Sequence, residues 1–258
     1  GTPQTAIALL EGLGVDAVGM NCGLGPVQMK PLAAEFIKYA SVPVIVNPNA
    51  GLPRSEGGRT VYDIGPDEFE QAMEEILDMG ISVAGGCCGT TPGHIRRLNR
   101  LRAGRRQKLP QEKQSTVITS YAAAVEIGDD PVIIGERINP TGKSKFKQAL
   151  RDHDLEFILR EGISQQERGA HVLDVNVGLP EIDEPSMMAE VIRELQGITE
   201  LPLQIDTSNT EAMARAMRVY NGKPLLNSVN GKQEVMDAVF PLVKRYGAVV
   251  VALTLDES

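Results

Sequence analysis

Short, continuously apolar runs recur along this 258-residue chain, each followed by a polar or glycine-rich turn and then a stretch of helical periodicity. Val42-Pro43-Val44-Ile45-Val46 is one such run. A strand that is apolar at every position, rather than at alternate ones, is buried on both faces, as strands of a helix-covered parallel sheet are. The order of run, turn and helix, repeated at intervals suited to βαβ crossovers, predicts an α/β fold.

Three such units come first. Residues 2–13 read as a helix, with Pro3 near its start and Ala6, Ile7, Leu10 and Leu13 on one face. Residues 15–20 read as a strand ended by Asn21-Cys22-Gly23. Residues 26–39 read as a helix with Val27, Leu32, Phe36 and Ile37 inward, and the strand at 42–46 ends in a rigid polar loop, residues 47–53. Residues 66–79 read as a helix whose acidic first turn, Asp67 and Glu68, complements its dipole. A strand at 81–84 then runs into Gly85-Gly86-Cys87-Cys88-Gly89, and a basic helix follows from His94 to Arg102. Residues 103–114, rich in Arg, Lys and Gln, read as a surface linker, and 116–127 as either a hairpin or an extended connection. A second series starts at Pro131, with strands expected near 132–135, 172–178, 201–206, 225–229 and 249–255 and helices between them. Three strands plus five also make the eight of a single hybrid barrel, which is kept as an alternative.

Composition narrows the function. A net charge of −8 argues against a nucleic-acid surface, and the absence of Trp argues against stacking platforms for single strands. The positive charge of 103–114 reads as a solvated face. No apolar run approaches the ~18 residues that span a bilayer, so no membrane partner is expected. No charged-then-apolar leader pattern is visible at Gly1, and since Gly1 is not a methionine the true start is expected to lie upstream. Three cysteines, two of them adjacent, do not make a disulfide framework and fit a reducing cytosol.

All three cysteines fall at strand ends, where α/β folds build their sites. Thiolates suit Zn²⁺, and three protein ligands leave one tetrahedral position open. Cys22 lies 65 residues before Cys87, so the ligands must converge through the fold. An open position can take a substrate thiol and present it as thiolate, which points to thiol alkylation. Two alternatives stay open: small buried hydrophobes, or a closed structural zinc with His94 as fourth ligand. His94 itself reads as a first-turn residue facing solvent. Polar residues collect at the later strand ends as well: Glu136, Asn139, Asp174, Asn176, Asp206 and Asn227. Asp206 and Asn227 offer the donors and acceptors that an amino-pyrimidine edge requires, while each of these residues alone is equally a turn or helix cap.

Asn21-Cys22-Gly23 with Gly85-Gly86-Cys87-Cys88-Gly89-Thr90-Thr91-Pro92 resembles the end of the homocysteine-binding barrel of zinc-dependent homocysteine S-methyltransferases. Gly135-Glu136-Arg137-Ile138-Asn139-Pro140-Thr141-Gly142, Asp174-Val175-Asn176-Val177-Gly178, Ile205-Asp206-Thr207-Ser208-Asn209 and Asn227-Ser228-Val229-Asn230-Gly231 resemble the pterin-binding barrel of methyltetrahydrofolate–corrinoid methyltransferases. In this order the two resemble the substrate-binding half of the cobalamin-dependent methionine synthase family, over nearly the whole chain. The resemblance implies two TIM barrels of (β/α)8 type. Residues 1–102 would be the C-terminal part of the first, 103–130 a linker, and 131–258 the N-terminal part of the second. It implies that Cys22, Cys87 and Cys88 hold catalytic zinc and activate homocysteine. It implies that 5-methyltetrahydrofolate is held by Asp206 and Asn227, with Asp174, Asn176, Glu136 and Asn139 around them. The methyl group would pass through cobalamin on a separate corrinoid-binding domain or protein, in the cytoplasm. Both barrels fall short of eight strands, so the chain is expected to be an internal fragment that does not turn over alone. The alternatives are activity in one half alone, as a methyltetrahydrofolate–corrinoid protein methyltransferase or a thiol methyltransferase with another donor, and an inactive docking fragment.

Overall fold

A computed structural model describes residues 1–106, 108 and 110–255. It divides into two compact units, one of residues 15–113 and one that joins 1–14 to the chain from 114 onward. These divisions differ from the boundaries expected at 102 and 131. The leading helix, α1 (Pro3–Gly12), capped by Thr2, packs on residues beyond 114 instead of on the strand that follows it. Its buried apolar side chain is Ile7, while Leu10 and Leu13, expected inward, are exposed.

The 15–113 unit runs β1 (Val18–Asn21), α2 (Pro26–Tyr39), β2 (Val44–Asn47), β3 (Arg54–Glu56), β4 (Arg59–Val61), α3 (Pro66–Asp78), β5 (Val83–Ala84) and α4 (Pro92–Leu101). β1, β2 and β5 form a parallel sheet with β2 in the middle. Each helix starts on a proline, whose fixed φ suits the first helical position. Phe69, Met73 and Ile76 make the buried stripe of α3, and Met29, Ala33 and Phe36 that of α2. Val27, expected inward, is exposed: two residues before Met29, it lies on the far side of a 3.6-residue helix. β3 and β4 are an antiparallel hairpin that sequence reading does not anticipate. Gly57 and Gly58, both at positive φ, are its two-residue turn.

The second unit contributes β6 (Thr116–Thr119) and β7 (Ala124–Ile127), which pair as an antiparallel hairpin. Then come β8 (Ile134–Ile138), α5 (Ser144–Arg151), α6 (Leu155–Glu167), β9 (Val172–Val175), α7 (Glu184–Leu195), β10 (Leu203–Asp206), α8 (Thr210–Val219), β11 (Leu225–Val229), α9 (Gln233–Tyr246) and β12 (Val249–Ala252). β8 to β12 form one parallel sheet in sequence order. Consecutive helices touch, α6 on α7, α7 on α8 and α8 on α9, as in a single layer. The strands therefore make a three-stranded and a five-stranded parallel sheet beside two hairpins, and among the described residues no strand pairing joins the parallel sheets into a single hybrid barrel.

Strand alternation gives the five-stranded sheet two different faces. Leu173, Val175, Leu203, Ile205 and Leu226 point into the helices and pack with Met188, Ile192, Leu195 and Met213. On the opposite face, Val172 and Leu225 pack with Ile118 of the hairpin, and Val125, Val132 and Val249 flank them. The hairpin thus closes the amino end of this face. Tyr220 fastens it: its hydroxyl donates to Thr119 O at 2.7 Å and accepts Leu203 N–H at 3.0 Å. Among the described residues no helix is long and apolar enough to cross a membrane.

Candidate functional site

Cys22 comes directly after β1, and Cys87 and Cys88 come three and four residues after β5. The exit loop of β2 braces both from between. Asn47 O accepts Cys22 N–H at 3.1 Å, Pro48 O accepts Cys87 N–H at 2.8 Å, and Asn49 Oδ1 accepts Cys88 N–H at 3.1 Å. Ala50 N–H donates back to Cys88 O at 2.9 Å. Cys22 adopts φ 62°, a left-handed conformation few non-glycine residues hold, and Gly23 follows at φ 73°. The reversal turns the first thiol toward the other two. Gly89, at φ 78°, admits no side chain, because a Cβ there would enter the ring of Tyr62.

The three Sγ atoms lie within 4.8 Å of one another. Cys22 to Cys88 is 3.6 Å and Cys87 to Cys88 is 3.9 Å. Tetrahedral zinc with bonds of ~2.3 Å puts its sulfurs ~3.8 Å apart, so the trio has the spacing of three tetrahedral vertices. All three cysteines are free thiols. Hydrogen bonds, first from Cys88 and then from the Gly23 backbone, pull the Cys22 thiol below its ordinary range. Cys88 is pushed up, chiefly by that same bond to Cys22, against an opposing hydrogen bond from Tyr62. Three thiolates this close would repel one another and require a cation between them.

His94 is neither solvent-facing nor available as a fourth ligand. It is 4% exposed. Its Nδ1 accepts Thr91 N–H at 3.1 Å, and its Nε2 lies 2.8 Å from Ile64 O, to which it can only donate. It occupies the position that Glu or Gln takes in a capping box, and both ring nitrogens are used.

The second group of polar residues lines the helix-free face of the five-stranded sheet toward its carboxyl edge. The face is graded. Val172 lies at its apolar floor, Asp174, Gln204 and Leu225 stand side by side in the row above it, and Asn176, Asp206 and Asn227 stand above these. Asn176 Nδ2 donates to Asp206 Oδ2 at 2.9 Å, and its Oδ1 accepts Gly178 N–H at 2.8 Å. Asp206 and Asn227 are register partners on adjacent strands. Asn139 is buried, its Oδ1 accepting Thr141 N–H at 2.9 Å, and its side chain also bonds Asp174. Glu136 is exposed and paired with Lys143 at 3.0 Å. Asp174 is 2% exposed. Burial pushes its carboxyl up to about 7, with repulsion from Asp206 and Glu136 adding to burial and hydrogen bonds from Gln204 and Asn139 opposing it. Asp206 is also raised, first by burial.

Sequence does not single out Asn49, Gln204 or Glu184. Asn49 is hidden in a loop of turn formers. Gln204 leaves one faint signal, a polar residue two before Asp206 in an otherwise apolar strand. Glu184 opens α7, accepts a short hydrogen bond from the Thr207 hydroxyl and repels Asp206.

Residues 1–101 match the family of homocysteine S-methyltransferases, and residues 135–258 match the family of pterin-binding enzymes. Methionine synthase of Mycobacterium tuberculosis (strain ATCC 25618 / H37Rv) is 34% identical over 98% of this chain, and that of Mycobacterium leprae (strain TN) 33% identical over 98%. The chain spans 22% of the length of each of these relatives. Likeness to solved structures is remote. The carboxyl transferase domain of Rhizobium etli pyruvate carboxylase with pyruvate has a TM-score of 0.31 at 12% identity, over 95% of this chain and 41% of that one, and carries no argument.

Proposed function

Since this chain is homologous to part of methionine synthase and joins a homocysteine S-methyltransferase segment to a pterin-binding one, we propose that it supplies the two substrate sites of a corrinoid-dependent methyl transfer. The methyl group of 5-methyltetrahydrofolate moves, by way of cobalamin on a separate domain or protein, to the sulfur of homocysteine, giving methionine in the cytoplasm. The two units are then the end of one (β/α)8 barrel and the beginning of another. Sheets with strands in sequence order and helices in one layer support that assignment.

The observation that carries the proposal is the convergence of the Cys22, Cys87 and Cys88 sulfurs at the carboxyl ends of β1 and β5. Their donor set and spacing fit zinc with one vertex open. Zinc bound there supplies the positive charge that lowers the pKa of a thiol placed at that vertex. The protein's part is to hold three thiolates at fixed separation. The β2 exit loop does this through backbone groups and Asn49, so the three sulfurs would hold the ion at the separation they already have.

On the second sheet, Asp206 has one oxygen engaged by Asn176 and the other free to accept from the amino-pyrimidine edge of the pterin. Asn227 beside it offers both a donor and an acceptor. Asp174 and Asn139 lie deeper, and Glu136 stands at the exposed rim. The face is acidic and hydrogen-bonding, which suits a neutral heterocycle and disfavours an anionic one.

Metal analysis of the purified chain tests the first half. About one zinc per chain is expected, lost in Cys88→Ala, with homocysteine addition releasing a proton in the zinc-loaded protein alone. Folded protein that holds no zinc would overturn the assignment. Calorimetry with 5-methyltetrahydrofolate, beside Asp206→Asn, tests the second half independently.

A further inference from the structure

Gln204 is out of place by the ordinary logic of a strand. It sits in the middle of β10, 6% exposed, with apolar Leu225 as its register partner on β11 and Val172 on the same face. A buried amide must be satisfied or it costs stability. Gln204 is held by one side chain: its Nε2 donates to Asp174 Oδ1. The two residues are register partners, so strand pairing itself holds them opposite each other. Neither belongs to the helix-facing core, and neither is needed to join the strands, which their backbone ladder already joins.

We propose that Gln204 is a positioning residue of the heterocycle site: by claiming Oδ1 of Asp174, it fixes the carboxyl's orientation and so sets, together with Asn139, how that carboxyl takes a proton or a ligand's hydrogen bond. This rests on the assignment of the graded face as the folate site. The pair forms the second tier of that face, directly under Asn176 and Asp206. An amide in this role is always neutral, so it orients Asp174 through a donor bond without adding charge to a face that already carries several carboxylates. The charged groups facing Asp174 are Asp206 from β10 and Glu136 from β8, the latter paired with Lys143 after β8; Glu184 from α7 faces Asp206 in turn. Asp174 is held among them with Gln204 and Asn139 as its neutral partners.

The test compares the 258-residue chain with Gln204→Leu and Gln204→Glu. The Asp174 carboxyl is followed by carbon-13 NMR titration in ligand-free protein, and 5-methyltetrahydrofolate binding is measured by calorimetry across the same pH range. Loss of the donor in Gln204→Leu is expected to raise the proton affinity of Asp174 about tenfold, about one pH unit, and to move the pH dependence of folate binding by the same amount. Gln204→Glu keeps shape and volume, so it serves should the leucine variant fail to fold. Its two facing carboxyls must share a proton, and titration in two separated steps is expected. An Asp174 titration unchanged in the variants would overturn the proposal and leave Gln204 as a tie between β9 and β10. Wild-type protein that binds no folate at any pH would remove the folate assignment, whereas the ligand-free titration still decides the Gln204–Asp174 relationship.

Discussion

Asn49 Oδ1 accepts the backbone N–H of Cys88 at 3.1 Å, and the backbone N–H of Asn49 donates to Leu24 O, two residues after Cys22, at 2.9 Å. One buried residue thus links the turns of cysteines that are 66 residues apart. In Asn49→Ala the Cys88 N–H loses its acceptor and the two strand ends lose their shared brace. Zinc affinity is expected to fall roughly 10–100-fold, as it does when groups that orient metal ligands are removed. Competition with a chromogenic chelator measures this. Unchanged affinity would mean that the backbone bonds to Asn47 and Pro48 are sufficient.

Asp174 makes the second unit's stability depend on pH. Its folded pKa is raised from 3.8 to about 7. The folded state therefore binds more protons than the unfolded state between those values, and stability falls as pH rises through that window. Asp174→Asn keeps an acceptor for Gln204 and removes the charge. It is expected to match wild type near pH 4 and to exceed it at pH 8 by on the order of 2 kcal/mol, about 4–8 °C in melting temperature. Thermal melts at the two pH values decide it. A variant equally destabilised at both would show that packing, not charge, dominates the position. A carboxyl retained at such a cost is the pattern expected of a binding site.

The parts of the molecule legible in the sequence are those set by local patterns. A mostly apolar run followed by a glycine-rich or polar turn places Cys22, Cys87, Cys88 and Asp206 at strand ends wherever the strands lie. Parallel strands side by side then bring such ends together. What escapes is whatever depends on a distant partner. His94 looks like a polar helix-start residue until Ile64 O, thirty positions earlier, arrives against its Nε2. Gln204 has meaning because Asp174 is its register neighbour. The β3–β4 hairpin is a different failure: Gly57-Gly58 is a turn signal, but the flanking residues are polar and exposed, with no alternation to mark them as strands.

The enclosed position of His94 separates a structural from a metal role. His94→Gln keeps a side chain able to cap the helix, as glutamine does at this position of a capping box, but loses the bond to Ile64 O. Zinc content is expected to stay at the wild-type value, with a loss of stability of about 1 kcal/mol. Metal analysis beside Cys88→Ala makes the contrast. Zinc lost from a folded His94→Gln variant would contradict the assignment of the histidine to packing.

Tyr220 offers the sharpest test of how the second sheet is closed. Its hydroxyl is buried, donates to Thr119 O and accepts Leu203 N–H, so it ties the β6–β7 hairpin to the start of β10. Thr119 adds bonds to Lys223, its N–H donating to Lys223 O and its Oγ1 accepting Lys223 N–H, both at 2.9 Å. Tyr220→Phe removes one oxygen and strands two buried backbone groups. A loss of about 1–3 kcal/mol is expected by chemical denaturation, since the cost is that of leaving buried partners unmade. Hydrogen exchange should localise it: amides of β6 and of Leu203 lose protection while those of β8 and β9 keep theirs. Uniform loss across the sheet would show that the hairpin and the sheet open as one cooperative unit, with Tyr220 in its common core.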